Sequence, residues 1–253
     1  RSEVTKKSGN TLTISPALFW ELDLNKKPTA RAMPLRKYGT GIENLKMDMS
    51  NSSSTFGIML EQTVGCWVQN VSISNISNFG IYLLNCFQTE VRGSDIRNRK
   101  TRGSNGAGIL VERSTSCLVE DNIIYDVFPH LEVNFDSCGN VFAYNFCEVN
   151  DVNGIMGVSI NSNHGPHNHN NLYEGNIASK FQSDGYFGSA SDDLLFRNWF
   201  HGTSDTTNEF GICIYLNRFT RNYKIIGNLL GRPGLAYEYD NGGNPIPYSK
   251  RYI

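Results

Sequence analysis

A chain of 253 residues with 39% hydrophobic and 19% charged residues holds enough apolar material for one large domain or two small ones. Its formal net charge of −1 leaves no whole-molecule field to draw it to nucleic acid or an anionic membrane, and no apolar run approaches the ~18 residues that span a bilayer. Six cysteines without one Cys-x-x-Cys pair exclude a zinc ribbon, a thioredoxin-type motif and a disulfide scaffold, and they read as buried small hydrophobes.

Along the chain, Ser8-Gly9-Asn10 ahead of Thr11-Leu-Thr-Ile-Ser15 predicts a tight turn and then a strand. Pro16, Pro28 and Pro34 punctuate the irregular stretch that follows. Residues 1–40 are therefore expected to form an N-terminal lead-in that covers the first rung of what comes next and hides its open edge. Arg1 and Ile253 read as cut ends, and residues 241–253, with Asn244-Pro-Ile-Pro-Tyr248, as an exit segment.

Residues 41–240 are organised by a repeat. A short strand signal of the form glycine, apolar, any, apolar occurs at Gly57-Ile-Met-Leu, Gly80-Ile-Tyr-Leu, Gly108-Ile-Leu-Val, Gly157-Val-Ser-Ile, Gly211-Ile-Cys-Ile and Gly234-Leu-Ala-Tyr. His130-Leu-Glu-Val and Gly185-Tyr-Phe-Gly fill the gaps, so that successive signals start 22 to 28 residues apart. After a polar turn each is followed by a second strand bearing an asparagine: Asn70, Asn122, Asn145, Asn176, Asn198 and Asn228, with Asn44 leading and Ser94 breaking the series.

A unit of that length made of short strands cannot bury its apolar face alone. Stacked copies can, each strand pairing in parallel with its equivalent one rung on. The recurrent asparagine suits a sharp corner, tolerating the left-handed conformation and bonding the next asparagine through its amide. Leucine-rich repeats would need leucine at fixed spacing and a helical return, and a β-sandwich would not repeat one strand-turn-strand grammar eight times. The expected fold is all-β: a right-handed parallel β-helix solenoid of about eight rungs over residues 41–240.

Over that span the sequence resembles the pectin-lyase-like superfamily of right-handed β-helices. The narrower match lies in Asn161-Ser-Asn-His-Gly-Pro-His-Asn-His-Asn-Asn-Leu-Tyr-Glu-Gly-Asn176, Ser183-Asp-Gly185, Phe196-Arg-Asn198 and Ile226-Gly-Asn-Leu-Leu-Gly231, which are similar to bacterial secreted pectate-lyase-like proteins. The resemblance implies polysaccharide or oligosaccharide partners, and cleavage by glycoside hydrolysis or by β-elimination at uronic acids. The polygalacturonase pattern is not reproduced: Asp192-Asp193 is paired but sits at a turn, with no Arg-Ile-Lys after it. Nor is there the aspartate cluster of calcium-dependent pectate lyases. The fold also hosts adhesins, tail fibres and sugar binders, so a non-catalytic surface or fibre solenoid is the rival.

Alternation along the Gly-led strands points every second residue outward. One expected column runs Met59, Tyr82, Leu110, Glu132, Ser159, Phe187, Cys213, Ala236, and its neighbour Glu61, Leu84, Glu112, Asn134, Asn161, Ser189, Tyr215, Glu238. Glu112 and Glu132 fall on adjacent rungs, where two carboxyls could serve as acid and base or nucleophile, and His130 at the rim could tune them. His164, His167 and His169 lie within six residues on a loop that should overhang the same face. His164 is a candidate base, and Asp184 a candidate partner that would raise its pKa. Glu209, at the edge of the following rung, is a second candidate partner.

Tyr82, Asn134, Asn161, His167, Phe187 and Tyr215 are the expected sugar contacts, with Arg113 and Arg218 the cations nearest a uronate. No metal is required, although His164, His167 and His169 offer a possible divalent site. The alternative for each is an ordinary solvated sheet face or structural loop. Abundant Asn, Ser and Gly, with N-x-S/T sequons at Asn51 and Asn75, lean toward a secreted or cell-surface protein, and hydrolysis is favoured over elimination because the groove is not strongly basic.

Overall fold

The computed structural model describes residues 2–33, 37–100, 106–148, 158–204 and 211–233, and among these the chain is β-structure apart from one 3-10 turn at Leu24–Lys26. An antiparallel hairpin joins Glu3–Ser8 to Thr11–Ser15, and the chain then winds into a parallel β-solenoid of about seven turns. The eighth expected strand signal, at Gly234, lies outside the described residues, as do Gly157, Glu209 and the expected exit segment. No helix among the described residues is long and apolar enough to cross a membrane.

Each turn contributes to three parallel sheets. Sheet I stacks seven strands: Phe56–Glu61, Phe79–Leu84, Ala107–Glu112, Leu131–Asn134, Ile160–Asn161, Phe181–Ser183 and Ile214–Leu216. Sheet II runs over eight strands from Gly41–Glu43 to Lys224–Ile226, and sheet III over eight from Lys46–Asp48 to Leu229–Leu230. The register stacks like on like. Ile58, Ile81, Ile109, Leu131, Ile160, Phe181 and Ile214 form one inward column. Val68, Val91, Val119, Phe142, Tyr173 and Leu195 form a second, and Ile73, Ile96, Ile124, Cys147, Ala178 and Phe200 a third. Each large apolar side chain so buried contributes roughly 1.5–3 kcal/mol.

The glycine that opens the early sheet I strands is required by crowding. A Cβ on Gly80 would lie 2.6 Å from the Gly108 carbonyl oxygen and 2.7 Å from Ile96 Cγ2. His130 occupies this position two turns further on, after Gly108, and its ring is fully buried instead of standing at a rim. The isoleucine that crowds Gly108, Ile124, is replaced in the following turns by Cys147 and Ala178, which frees the volume an imidazole needs.

The asparagines divide into two adjacent columns. Asn44 and Asn70 take the left-handed corner conformation, as do Gly93, Asp121, Tyr144, Gly175, Arg197 and Gly227 in later turns. The following residue forms a buried ladder. The Asn145 side-chain oxygen accepts from Asn122 N and Nδ2 at 3.1 and 2.9 Å, Asn176 does the same for Asn145, Asn198 for Asn176 and Asn228 for Asn198. Ser94 joins the series by donating its backbone N–H to Asn122 at 3.0 Å. A second ladder, through Asn140, Asn171 and Asp193, runs along the corner between sheets I and II.

Three strands stand in a register other than expected. Asn161 is opposite Glu132, not Asn134, because the fifth-turn strand is Ile160–Asn161 and Ser159 is buried at the corner. In the sixth turn the strand is Phe181–Ser183, so Gln182 faces Asn161 while Phe187 and Ser189 lie beyond it. Tyr215 is opposite Gln182, hence in the Glu132 column, and Cys213 is buried. In the fifth and sixth turns the physical cause is that the second inward position is serine. Ser162 and Ser183 are fully buried, and the Tyr223 hydroxyl bonds both, at 2.9 and 3.2 Å. An internal polar group replaces the apolar residue on which alternation relies.

Candidate functional site

The outer face of sheet I changes character along the solenoid. In the first turns it is aromatic and apolar: the rings of Phe56, Phe79 and Tyr82 stack with centroids 5.3 to 5.6 Å apart, beside Met59, Leu84 and Leu110. From the fourth turn it becomes polar, with Glu132, Asn161, Gln182 and Tyr215 in one column and Asn134 beside Glu132. Glu112 stands at the junction, opposite Asn134 and one strand before Glu132.

The two glutamates have unlike surroundings. Glu112 accepts the Tyr82 hydroxyl at 2.7 Å and the Arg113 guanidinium at 2.5 Å, which holds its carboxylate in place. Arg113 lies in the left-handed region with its guanidinium 4.8 Å from the centre of the Phe135 ring. Glu132 is raised above the ordinary carboxylate range by burial, against the Asn134 amide, which donates at 2.7 Å, and the nearby charge of His164. One carboxyl is thus shifted by burial toward its protonated form, while its neighbour is hydrogen-bonded to a cation. Strand spacing and rise put the two backbone positions about 8 Å apart along the diagonal.

His164 Nδ1 lies 2.7 Å from Asp184 Oδ2, and that carboxylate bond raises the imidazole pKa. Asn161 Nδ2 donates to the same Asp184 oxygen at 3.0 Å, and the His164 backbone N–H donates to Asn134 Oδ1 at 3.0 Å. A continuous network therefore links His164, Asp184, Asn161, Asn134 and Glu132. Beside it, Phe187 meets the His164 ring edge-on at 5.0 Å and Tyr186 stacks on it at 6.2 Å. Tyr186 is 80% exposed and Phe187 52%, so this aromatic pair faces solvent next to the carboxyls.

Other expected residues lie elsewhere. His130 is inside the coil, and burial depresses it to about 4, so it is a neutral imidazole out of reach of the face. Tyr82 is buried and orients Glu112 instead of presenting a ring to a ligand. His167 and His169 turn away from His164 and stack on each other at 5.3 Å beneath Trp20. Arg218, beyond the last strand of sheet I, covers the Phe219 ring at 4.6 Å. Tyr215 stands in the Glu132 column with the Lys180 ammonium 5.9 Å from its ring centre. Among the described residues no three of His, Cys, Asp or Glu are gathered closely enough to hold a metal ion.

Sequence reasoning missed Tyr186, Gln182 and Asn163. Asn163 Nδ2 holds the Asp184 carbonyl at 2.7 Å and the Gly188 carbonyl at 2.8 Å, fixing the loop that carries the aromatic pair. Counting alternation from Phe181 instead of Gly185 would have found Gln182.

No protein-family model and no curated protein matches the chain. Among solved structures it is similar to a double-mutant tailspike protein of E. coli bacteriophage HK620, at TM-score 0.43 and 11% identity over 78% of this chain and 45% of that one. It is also similar to a single-mutant tailspike of the same phage in complex with a pentasaccharide, at TM-score 0.39 and 13% identity over the same shares. The chain thus spans less than half the length of these tailspikes.

Proposed function

We propose that the outer face of sheet I binds a polysaccharide and hydrolyses it, with Glu132 as general acid and Glu112 as the partner carboxyl. The observation that carries this reading is the opposed environment of two adjacent glutamates. Burial favours the protonated form of Glu132, whereas Arg113 and Tyr82 fix Glu112. Protonation of the glycosidic oxygen by Glu132 would let the bond to the sugar carbon break, while Glu112 stabilises the developing positive charge or activates water. Tyr186 and Phe187 offer flat apolar faces for sugar C–H groups, and Asn134, Asn161 and Gln182 offer amides for hydroxyls. Hydrolysis is preferred to β-elimination because Arg113 is engaged by Glu112, leaving carboxylates to face an incoming uronate. On this reading the protein is secreted or displayed at a cell surface.

The test is turnover against neutral and uronic-acid polysaccharides, following reducing ends and the ultraviolet absorbance of unsaturated uronates together. Reducing ends without that absorbance, lost in Glu132→Gln, support the hydrolase. Absorbance rising with the ends means a lyase. Binding without turnover of any kind means a sugar-binding solenoid, for which the exposed Tyr186–Phe187 pair would be the contact surface.

A further inference from the structure

The network that joins His164 to Glu132 contains two asparagines whose amides are oriented by main-chain donors. A backbone N–H can only donate, so the side-chain atom it meets is the amide oxygen. The His164 N–H donates to Asn134 Oδ1 at 3.0 Å, and the Asn163 N–H donates to Asn161 Oδ1 at 3.3 Å. The amide nitrogens point the other way, each at a carboxyl. Asn134 Nδ2 donates to Glu132 Oε1 at 2.7 Å, and Asn161 Nδ2 to Asp184 Oδ2 at 3.0 Å. Asp184 closes the arrangement, because the same oxygen meets His164 Nδ1 at 2.7 Å while its Oδ1 accepts the Tyr186 N–H at 3.0 Å. His164, whose main chain pins Asn134, is thus itself pinned through its ring.

An amide nitrogen has protons and no lone pair to offer, so Glu132 Oε1 accepts and cannot direct a proton toward it. Asn134 is itself buried, which keeps water from taking its place. Glu132 Oε2, by contrast, is bonded by no other described group and is not sealed from solvent. The two oxygens of one carboxyl are therefore unlike: one is held, and the other is open at the face. The charged groups facing this carboxyl are His164 and Asp184 from the loops beyond sheet I, Glu112 from the preceding strand, and Arg99.

We propose that Asn134 is a positioning residue that keeps Glu132 Oε1 as an acceptor and so places the transferable proton on Oε2, the oxygen open to a glycosidic bond. The inference rests on the reading of Glu132 as general acid. In that step the Oε2–H bond breaks as the proton passes to the glycosidic oxygen. The electron pair that bound this oxygen to the sugar carbon stays with it, and water supplies both the hydroxyl that replaces it and the proton that reloads the carboxyls. As Glu132 becomes a carboxylate, the bond from Asn134 becomes charge-assisted and strengthens. The amide thus favours the proton's departure more than its presence, which is the kind of contact that raises kcat instead of merely binding substrate.

The experiment is a carboxyl-carbon NMR titration of the chain labelled with 13Cδ-glutamate, from pH 3 to 9, the Glu132 signal being identified by its loss in Glu132→Gln. Asn134→Leu removes the donor and keeps most of the bulk, and it should raise the Glu132 midpoint by about one pH unit. In the unmodified chain, one Asn134 side-chain N–H proton should move downfield across the Glu132 midpoint, as a donor to a newly ionised carboxylate does. On a cleaved glycan, Asn134→Leu should move the alkaline limb of kcat up with the midpoint and lower its plateau about tenfold, with KM nearly unchanged. A residue that only supported the fold would lower kcat without moving that limb. A midpoint that stays in place or falls in Asn134→Leu overturns the proposal, and so does an Asn134 N–H that ignores the Glu132 titration, whether or not the variant folds. A parent that cleaves no glycan sinks the hydrolase reading and the proton transfer with it, whereas the titration alone decides whether Asn134 holds Oε1.

Discussion

The outer face of sheet I and the asparagine corner between sheets II and III are built from the same repeat and treat it in opposite ways. At the corner, one hydrogen-bond pattern recurs with little change from Asn122 to Asn228, every bond lying between 2.8 and 3.1 Å. On the face no two turns carry the same outward residue opposite one another: Leu110 meets Glu132, which meets Asn161, which meets Gln182. A solenoid gains stability from positions that can be copied. Its chemistry has to come from positions that are not, because a charge repeated every ~4.8 Å would repel its own copies.

The sharpest way to break this contrast is at the face. Glu132→Gln should cost about 10²–10⁴ in kcat on a cleaved glycan, the range lost with a general acid, with sugar affinity measured by calorimetry nearly unchanged. Equal activity would remove Glu132 from the chemistry. At the corner, Asn145→Ala orphans Asn122 N–H and the Val119 carbonyl, both buried partners of that side chain. A loss of about 3 kcal/mol or more is expected from the denaturant midpoint, since each buried orphan costs ~1–3 kcal/mol.

Asp193 ends the second ladder, where the pattern meets an ionisable group. It is fully buried, and burial raises it from 3.8 to about 7. Between those pH values the folded chain retains a proton that the unfolded chain has released, so stability falls as pH rises through this window and levels off above it. Asp193→Asn, whose amide oxygen can still accept from Asn171, should flatten that slope in melts taken from pH 4 to 8. An unchanged slope would mean that Asp193 is ionised throughout. Tyr82→Phe removes the hydroxyl donated to Glu112, and about tenfold in kcat should go with that one charged hydrogen bond. The smallest effect is expected at Asn70→Gly, which keeps the left-handed corner and loses only the exposed bond to Asn44. There the change should stay within ~0.5 kcal/mol, which would separate the two asparagine columns experimentally.

The architecture could be read from the sequence because its signal is redundant: an inward isoleucine or valine at one place is supported by its copies at 58, 81 and 109. Glu112, Glu132 and the His164–Asp184 pair were legible for the same reason, since each follows a well-patterned strand or a strand-edge turn. What failed was local. Ser162 and Ser183 carry hydroxyls where alternation expects hydrocarbon, so the outward residues Asn161 and Gln182 were assigned to the wrong column or missed. Tyr215 was misplaced because its strand is Ile214–Leu216 and its first inward residue is Ile214, not Ile212. His130 misled because a histidine in a glycine slot looks exposed until the smaller Cys147 and Ala178 are seen to make room for it.

Tyr223 has a consequence for how the last turns come apart. In a linear array each repeat touches only its neighbours, so the ends fray one unit at a time. The Tyr223 hydroxyl instead meets Ser162, Ser183 and Asp193, groups contributed by earlier turns of the coil. A single phenol therefore couples non-adjacent units, and opening the terminal turn strands three buried partners at once. Amide hydrogens of the described residues among 162–204 and 211–223 should accordingly exchange as one cooperative block, with a common opening free energy, where untied turns would open one at a time.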